Sequence, residues 1–135
     1  MKQAYFLFLL LPVFICACGS DNTYPAADNA FDAGREFIDG CLKGDFTKAA
    51  FYMVNDDENN KDLLQIKRVY SQKGVGQKQE YSTASIVIQQ EETLSDTVHI
   101  IHYMNSYDRI ARKVKVVLRD NTWKTDFKYT FDGNL

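Results

Sequence analysis

The chain has 135 residues, with 16 Lys and Arg against 18 Asp and Glu and a formal charge of −2. This near balance offers no basic excess for the phosphate backbone of a nucleic acid, and the length suffices for one domain with one core. Aromatic residues make up 13% of the chain, enough for a packed interior or an aromatic-lined pocket.

The N-terminus carries an address. Lys2 precedes an apolar run from Ala4 to Ile15 that is interrupted only by Pro12. About a dozen residues at 1.5 Å rise each are too few to cross a ~30 Å hydrocarbon core, so the run reads as the apolar part of a cleaved signal. The segment Ile15-Cys16-Ala17-Cys18 resembles the lipobox of bacterial lipoproteins. Cys16 is the rival acceptor, but Ile15 directly before it fits the pattern poorly. The resemblance implies a diacylglyceryl thioether and an N-acyl chain on Cys18, which together anchor stably where one chain would bind reversibly. Residues 1–17 are then the signal, 18–27 a short polar tether, and 28–135 the domain. The membrane is a partner through the lipid on Cys18, and Gly19 after it favours the outer over the inner membrane of the cell envelope. Ten tether residues reach at most ~35 Å, so the domain stays close to its membrane.

Cys41 is the one thiol left after processing, so no disulfide can form within the domain and stability must come from burial. Its place in an apolar helical stripe makes it a buried, inert thiol. That stripe is Ala30, Phe31, Gly34, Phe37, Ile38, Cys41 and Leu42, with the spacing of an amphipathic helix. Asp28 or Asn29 can cap it and Gly44 can end it. Asp45 then caps a short second helix carrying Phe46, Ala49, Ala50 and Met53. The acidic stretch from Asp56 to Asp62 lacks the ligand spacing of a calcium loop and reads as the start of a third short helix with Leu63, Leu64, Ile66, Val69 and Tyr70. Gly74 and Gly76 close the helical half.

The second half alternates with period two. One face carries Ala84, Ile86 and Ile88; Val98, Ile100, His102 and Met104; Val114, Val116 and Leu118; and Trp123, Thr125, Phe127, Tyr129 and Phe131. These are four antiparallel strands with one face on the helices, an α+β layout. Asp120-Asn121 suits a two-residue turn that pairs Leu118 with Trp123, Val116 with Thr125, Lys115 with Asp126, Val114 with Phe127 and Arg112 with Tyr129. It also sets Lys113 opposite Lys128. A loop of Ser106 to Asp108 would set His102 opposite Arg112. The two hairpins together predict one inner row, His102, Arg112 and Tyr129. It could line a pocket mouth, with Arg112 gripping an anionic group and Tyr129 donating a hydrogen bond, or its polar tips could simply reach solvent at the sheet's open end with their stems packed on the core.

Several chemistries are missing. His99 and His102 point to opposite faces of a strand and cannot share a metal. No phosphate loop or nucleophile elbow is present, and no carboxylate falls on the inner face of the strands as assigned. No catalytic set, metal or cofactor is expected.

The run from Phe37 through Gly44-Asp45 to Ala50, and the ending Val116 to Asp126 with Trp123-Lys124 after a tight turn, resemble nuclear-transport-factor-like domains. The closest likeness is to small bacterial lipoproteins with a domain of unknown function related to the lumazine-binding and cystatin-like folds. This implies a cone: a long N-terminal helix and two short helices on a curved four-stranded antiparallel sheet. Relatives of the ketosteroid isomerase type place acids and a Tyr in the cone. The function expected is a non-enzymatic binding module for a small ligand or an envelope protein, with no nucleic acid. An outer patch of Val87, Ile101, Tyr103 and Val117 would serve a homodimer or partner subunit. The alternative is a small enzyme with His102 as acid/base, Arg112 as anion clamp and Tyr129 as donor.

Overall fold

A computed structural model describes residues 24–130; the expected signal, Cys18 and most of the expected tether lie outside them, as does Phe131. Four helices, α1 (Ala30–Lys43), α2 (Phe46–Phe51), α3 (Asp57–Ser71) and α4 (Val75–Thr83), precede four strands, β1 (Ile86–Ser95), β2 (Val98–Asn105), β3 (Arg112–Arg119) and β4 (Thr122–Asp126). A 3₁₀ turn, Phe127–Thr130, follows β4. The strands form one antiparallel sheet in chain order. Among the described residues no helix is long and apolar enough to cross a membrane.

Local chemistry accounts for the helix ends. Asn29 accepts the Asp32 amide at 2.9 Å and so fills an otherwise orphaned donor of α1. Gly44 terminates α1 at φ 74°, where a Cβ would be strained. Asp45 caps α2 through the Lys48 amide at 2.9 Å, and Asp56 caps α3 through the Asn59 amide at 2.8 Å. The acidic stretch is thus a helix start.

Two helical expectations need correction. The third helix has 15 residues against 14 in α1, so it is not short. Gly74 does not close the helical half: it is the N-cap of α4, in extended backbone. No apolar stripe announces α4, since none of its residues is buried. Tertiary contacts hold it instead. The Tyr81 ring meets Tyr107 edge-on at 4.9 Å, its hydroxyl donates to Asp108, and the Lys73 ammonium sits 4.7 Å over its face.

The core lies between α1 and the sheet. Ala33, Phe37 and Ile38 of α1 pack with Ile101, Tyr103, Val114, Val116 and Phe127, and the Phe37 and Phe127 rings meet tilted, with centroids 4.8 Å apart. The β3–β4 hairpin follows the expected register: Leu118 pairs with Trp123, Val116 with Thr125 and Lys115 with Asp126. Asp120 and Asn121 both adopt positive φ, as a tight hairpin turn requires. β4 ends at Asp126, however, and the 3₁₀ turn takes Phe127 and Tyr129 out of the ladder, so Val114–Phe127 and Arg112–Tyr129 do not form as strand pairs. Lys128 does not oppose Lys113 in a ladder; its ammonium binds Asp56 at 2.7 Å and Asp126 at 2.9 Å. Beyond β4 the backbone of Tyr52 to Val54 covers the sheet edge, with Thr125 N donating to Tyr52 O and Val54 N to Thr125 O.

The β2–β3 register differs by one residue from the expected one. Tyr103 faces Arg112 and His102 faces Lys113. A one-residue slip turns every side chain of a strand over. β2 therefore sends Ile101 and Tyr103 inward and His102 to the opposite face. The alternation could not decide this, because both faces of β2 are covered: Ile100 is 2% exposed and Ile101 0%. The proposed outer patch dissolves for the same reason, since Ile101 and Tyr103 belong to the core and Val117 is itself buried.

Candidate functional site

A cavity of about 300 Å³ opens between the C-terminal half of α1, α3 and the inner face of the sheet. Its walls are mostly apolar: Phe37, Ile38, Leu42, Ile66, Val69 and Phe127 among others. Val69 and Ile110 are both about half exposed and therefore mark its mouth. Lys73, Tyr70, Tyr81 and Arg112 add polar groups to the lining. No Asp or Glu lines the cavity among the described residues.

Arg112 is in the lining but is already engaged. Its two terminal nitrogens bind the two oxygens of Asp108 at 3.0 and 2.7 Å, a bidentate pair. Asp108 also accepts from Asn105 Nδ2, the Ile110 amide and the Tyr81 hydroxyl. The Arg112 guanidinium, foremost, holds the Asp108 carboxyl well below the usual carboxylate range. Asn105 Oδ1 accepts the amides of Tyr107 and Asp108, a side-chain turn that fixes the β2–β3 loop. The mouth is thus built as one hydrogen-bonded unit with its charges cancelled locally.

The expected row of His102, Arg112 and Tyr129 is not formed. His102 lies on the far face of the sheet, its Nε2 buried without a hydrogen-bond partner and 3.7 Å from Glu92. Tyr129 packs beside the outer-face lysines, with the Lys115 ammonium 5.5 Å and the Lys113 ammonium 6.0 Å from its ring. Arg112 alone of the three borders the cavity. An enzyme resting on those three side chains acting together has no geometric support.

Two features escaped the sequence reading. The bulge at Gln89 shifts the β1 register and brings Glu91 to the inner face opposite Ile101. There its carboxylate meets His99 Nδ1 at 3.0 Å, and the imidazole stands edge-on to Trp123 at 5.3 Å. Bulges leave no plain mark in an alternating pattern, so this carboxylate was not legible. The second feature is Tyr103, assigned to the solvated face but placed in the cavity wall. Cys41 also lines the cavity, and burial pushes its thiol up to about 12. It stays protonated and inert at neutral pH.

No family model, curated protein or solved structure matches the chain.

Proposed function

We propose that this protein is a lipid-anchored module of the bacterial cell envelope, more at home on the outer than the inner membrane, which binds a small, mostly apolar molecule without transforming it. On this reading the helices and sheet form the cone of nuclear-transport-factor-like and lumazine-binding-like domains, and the lipid on Cys18 keeps the cone near its membrane. The observation that carries the proposal is the cavity itself. Its ~300 Å³ lies at the lower end of ligand pockets and would hold about ten waters at ~30 Å³ each. Its apolar walls favour a hydrocarbon-rich occupant. A binding role is favoured over catalysis because the lining has a protonated thiol, a neutralised Arg112 and no carboxylate base.

The test uses the full chain in lipid nanodiscs, with empty nanodiscs as the blank. α-Methylstyrene, a compact hydrocarbon, is expected to bind saturably in equilibrium dialysis. Val69→Trp sets an indole over the mouth from a half-exposed position, and should weaken binding at least tenfold while the melting temperature stays unchanged. Wild type that takes up neither α-methylstyrene nor its ketone analogue acetophenone beyond the blank refutes the reading.

A further inference from the structure

Two tyrosines are buried among the described residues, Tyr52 at 2% exposure and Tyr103 at 7%. They treat their hydroxyls differently. Tyr52 donates to Pro25 O at 2.7 Å. The half-buried Tyr24 and Tyr81 donate to Asp45 and Asp108. The Tyr103 hydroxyl has no hydrogen-bond partner among the described residues, although its side chain stands in the cavity wall. The hydroxyl is not among the fully enclosed unpartnered polar atoms of the described residues, which are His102 Nε2 and Thr125 Oγ1, so it opens to the cavity and is free to donate to whatever fills it.

The neighbours are all committed elsewhere. Asn105 Oδ1 accepts two backbone amides. Thr130 Oγ1 donates to Lys113 O at 2.8 Å. Arg112 and Asp108 are locked on each other. Cys41 offers only a weakly bonding, protonated thiol. No described protein group answers the hydroxyl, so its partner comes from the cavity: water when the cavity is empty, and an acceptor on the occupant when it is filled.

We propose that Tyr103 is the specificity-determining contact of this cavity, and that the ligand is a small apolar molecule carrying a neutral oxygen acceptor, such as a ketone, ester or amide carbonyl, that takes the Tyr103 hydrogen. This rests on the cavity being a binding site. The acceptor is neutral because the cation nearest the hydroxyl is already neutralised. Arg112 has Asp108 on both its nitrogens, and a ligand carboxylate would meet that same carboxylate across the mouth. Lys73 is the remaining cation in the lining, held over the Tyr81 ring at the α3–α4 turn.

The experiment compares acetophenone with α-methylstyrene, which replaces the carbonyl oxygen by a methylene of similar shape, and with benzoate. Binding to the full chain in lipid nanodiscs is measured by equilibrium dialysis for wild type and Tyr103→Phe. Wild type is expected to prefer acetophenone over α-methylstyrene by roughly threefold to tenfold, the usual net worth of one hydrogen bond, and to bind benzoate more weakly than either. Tyr103→Phe should lose that preference while holding α-methylstyrene as before. As a second readout, the carbonyl stretch of bound acetophenone should move to lower wavenumber in wild type and not in the variant. Equal binding of acetophenone and α-methylstyrene to wild type, or a preference that survives Tyr103→Phe, overturns the role of Tyr103 and leaves the cavity reading standing. A preference for benzoate overturns the neutral acceptor. Uptake of no probe at all by wild type overturns the cavity reading, and this inference with it.

Discussion

Asn59 and Thr125 are both fully buried and lie at opposite ends of the same rule. Asn59 Nδ2 donates to Asp56 at 3.0 Å and Asp126 at 3.2 Å, and its Oδ1 accepts the Lys128 amide at 2.8 Å. One side chain thus ties the start of α3 to the end of β4 and the 3₁₀ turn. Asn59→Ala removes those bonds and leaves buried partners unmet, so urea denaturation should show a loss of about 2 kcal/mol. Thr125 Oγ1 has no partner among the described residues and no cavity to serve. Thr125→Val should leave stability unchanged or raise it by up to about 1 kcal/mol. A clear loss on Thr125→Val would mean that the hydroxyl is satisfied, and would weaken the argument made from Tyr103.

At the scale of elements, the α1–α2 corner depends on close backbone approach. A Cβ on Gly40 would lie 2.8 Å from the Ala49 amide nitrogen and 2.9 Å from Asp45 O. These are backbone atoms that cannot swing aside as a side chain can. Gly40→Ala should therefore push α2 off α1 and cost about 1–3 kcal/mol, read as a lower urea midpoint. The same displacement would strain the edge cover that Tyr52 and Val54 provide for β4. An unchanged midpoint would mean that α2 is not seated as described. The same corner supports the cavity, because Gly44 brings the chain against the Tyr70 ring and Tyr70 lines the cavity.

Across the whole molecule, carboxylates staple the second half to the helices. Lys128, above all, holds the Asp56 carboxyl at about 2, and Arg112 holds Asp108 lower still. Burial pushes Asp126 up, but bonds from Lys128, Asn59 and Lys115 more than offset this and leave it lowered. Depressed folded values stabilise the protein above the ordinary carboxylate value near ~3.9, and that stability is lost as pH falls through the folded values. Melting temperature should be flat from neutral pH down to about 5 and fall steeply between about 4 and 2. Asp108→Asn should lower the neutral-pH melting temperature and flatten part of the acid slope. An equally steep slope in that variant would assign the acid sensitivity to the other pairs.

The sequence by itself determined what depends on near neighbours. Caps at Asn29, Asp45 and Asp56, the stop at Gly44, and the Asp120-Asn121 turn with its register are set by contacts within a few residues, where side-chain chemistry acts directly on backbone. Only the tertiary structure decided which face of β2 is the inner one, because Ile100 and Ile101 are equally apolar and the six-residue connection from Asn105 to Arg112 sets the register through an Asn105–Asp108–Arg112 network that alternation does not encode. It also decided α4, which has no apolar stripe and is held by Tyr81, and the inward turn of Glu91, which follows from a bulge. Arg112 was expected at a pocket mouth from the inner-face parity it shares with Val114 and Val116, and it does line the cavity. Tyr103 was not, because its place in the cavity wall depends on a register offset of a single residue, and a strand apolar on both sides gives no local reason to prefer one parity over the other.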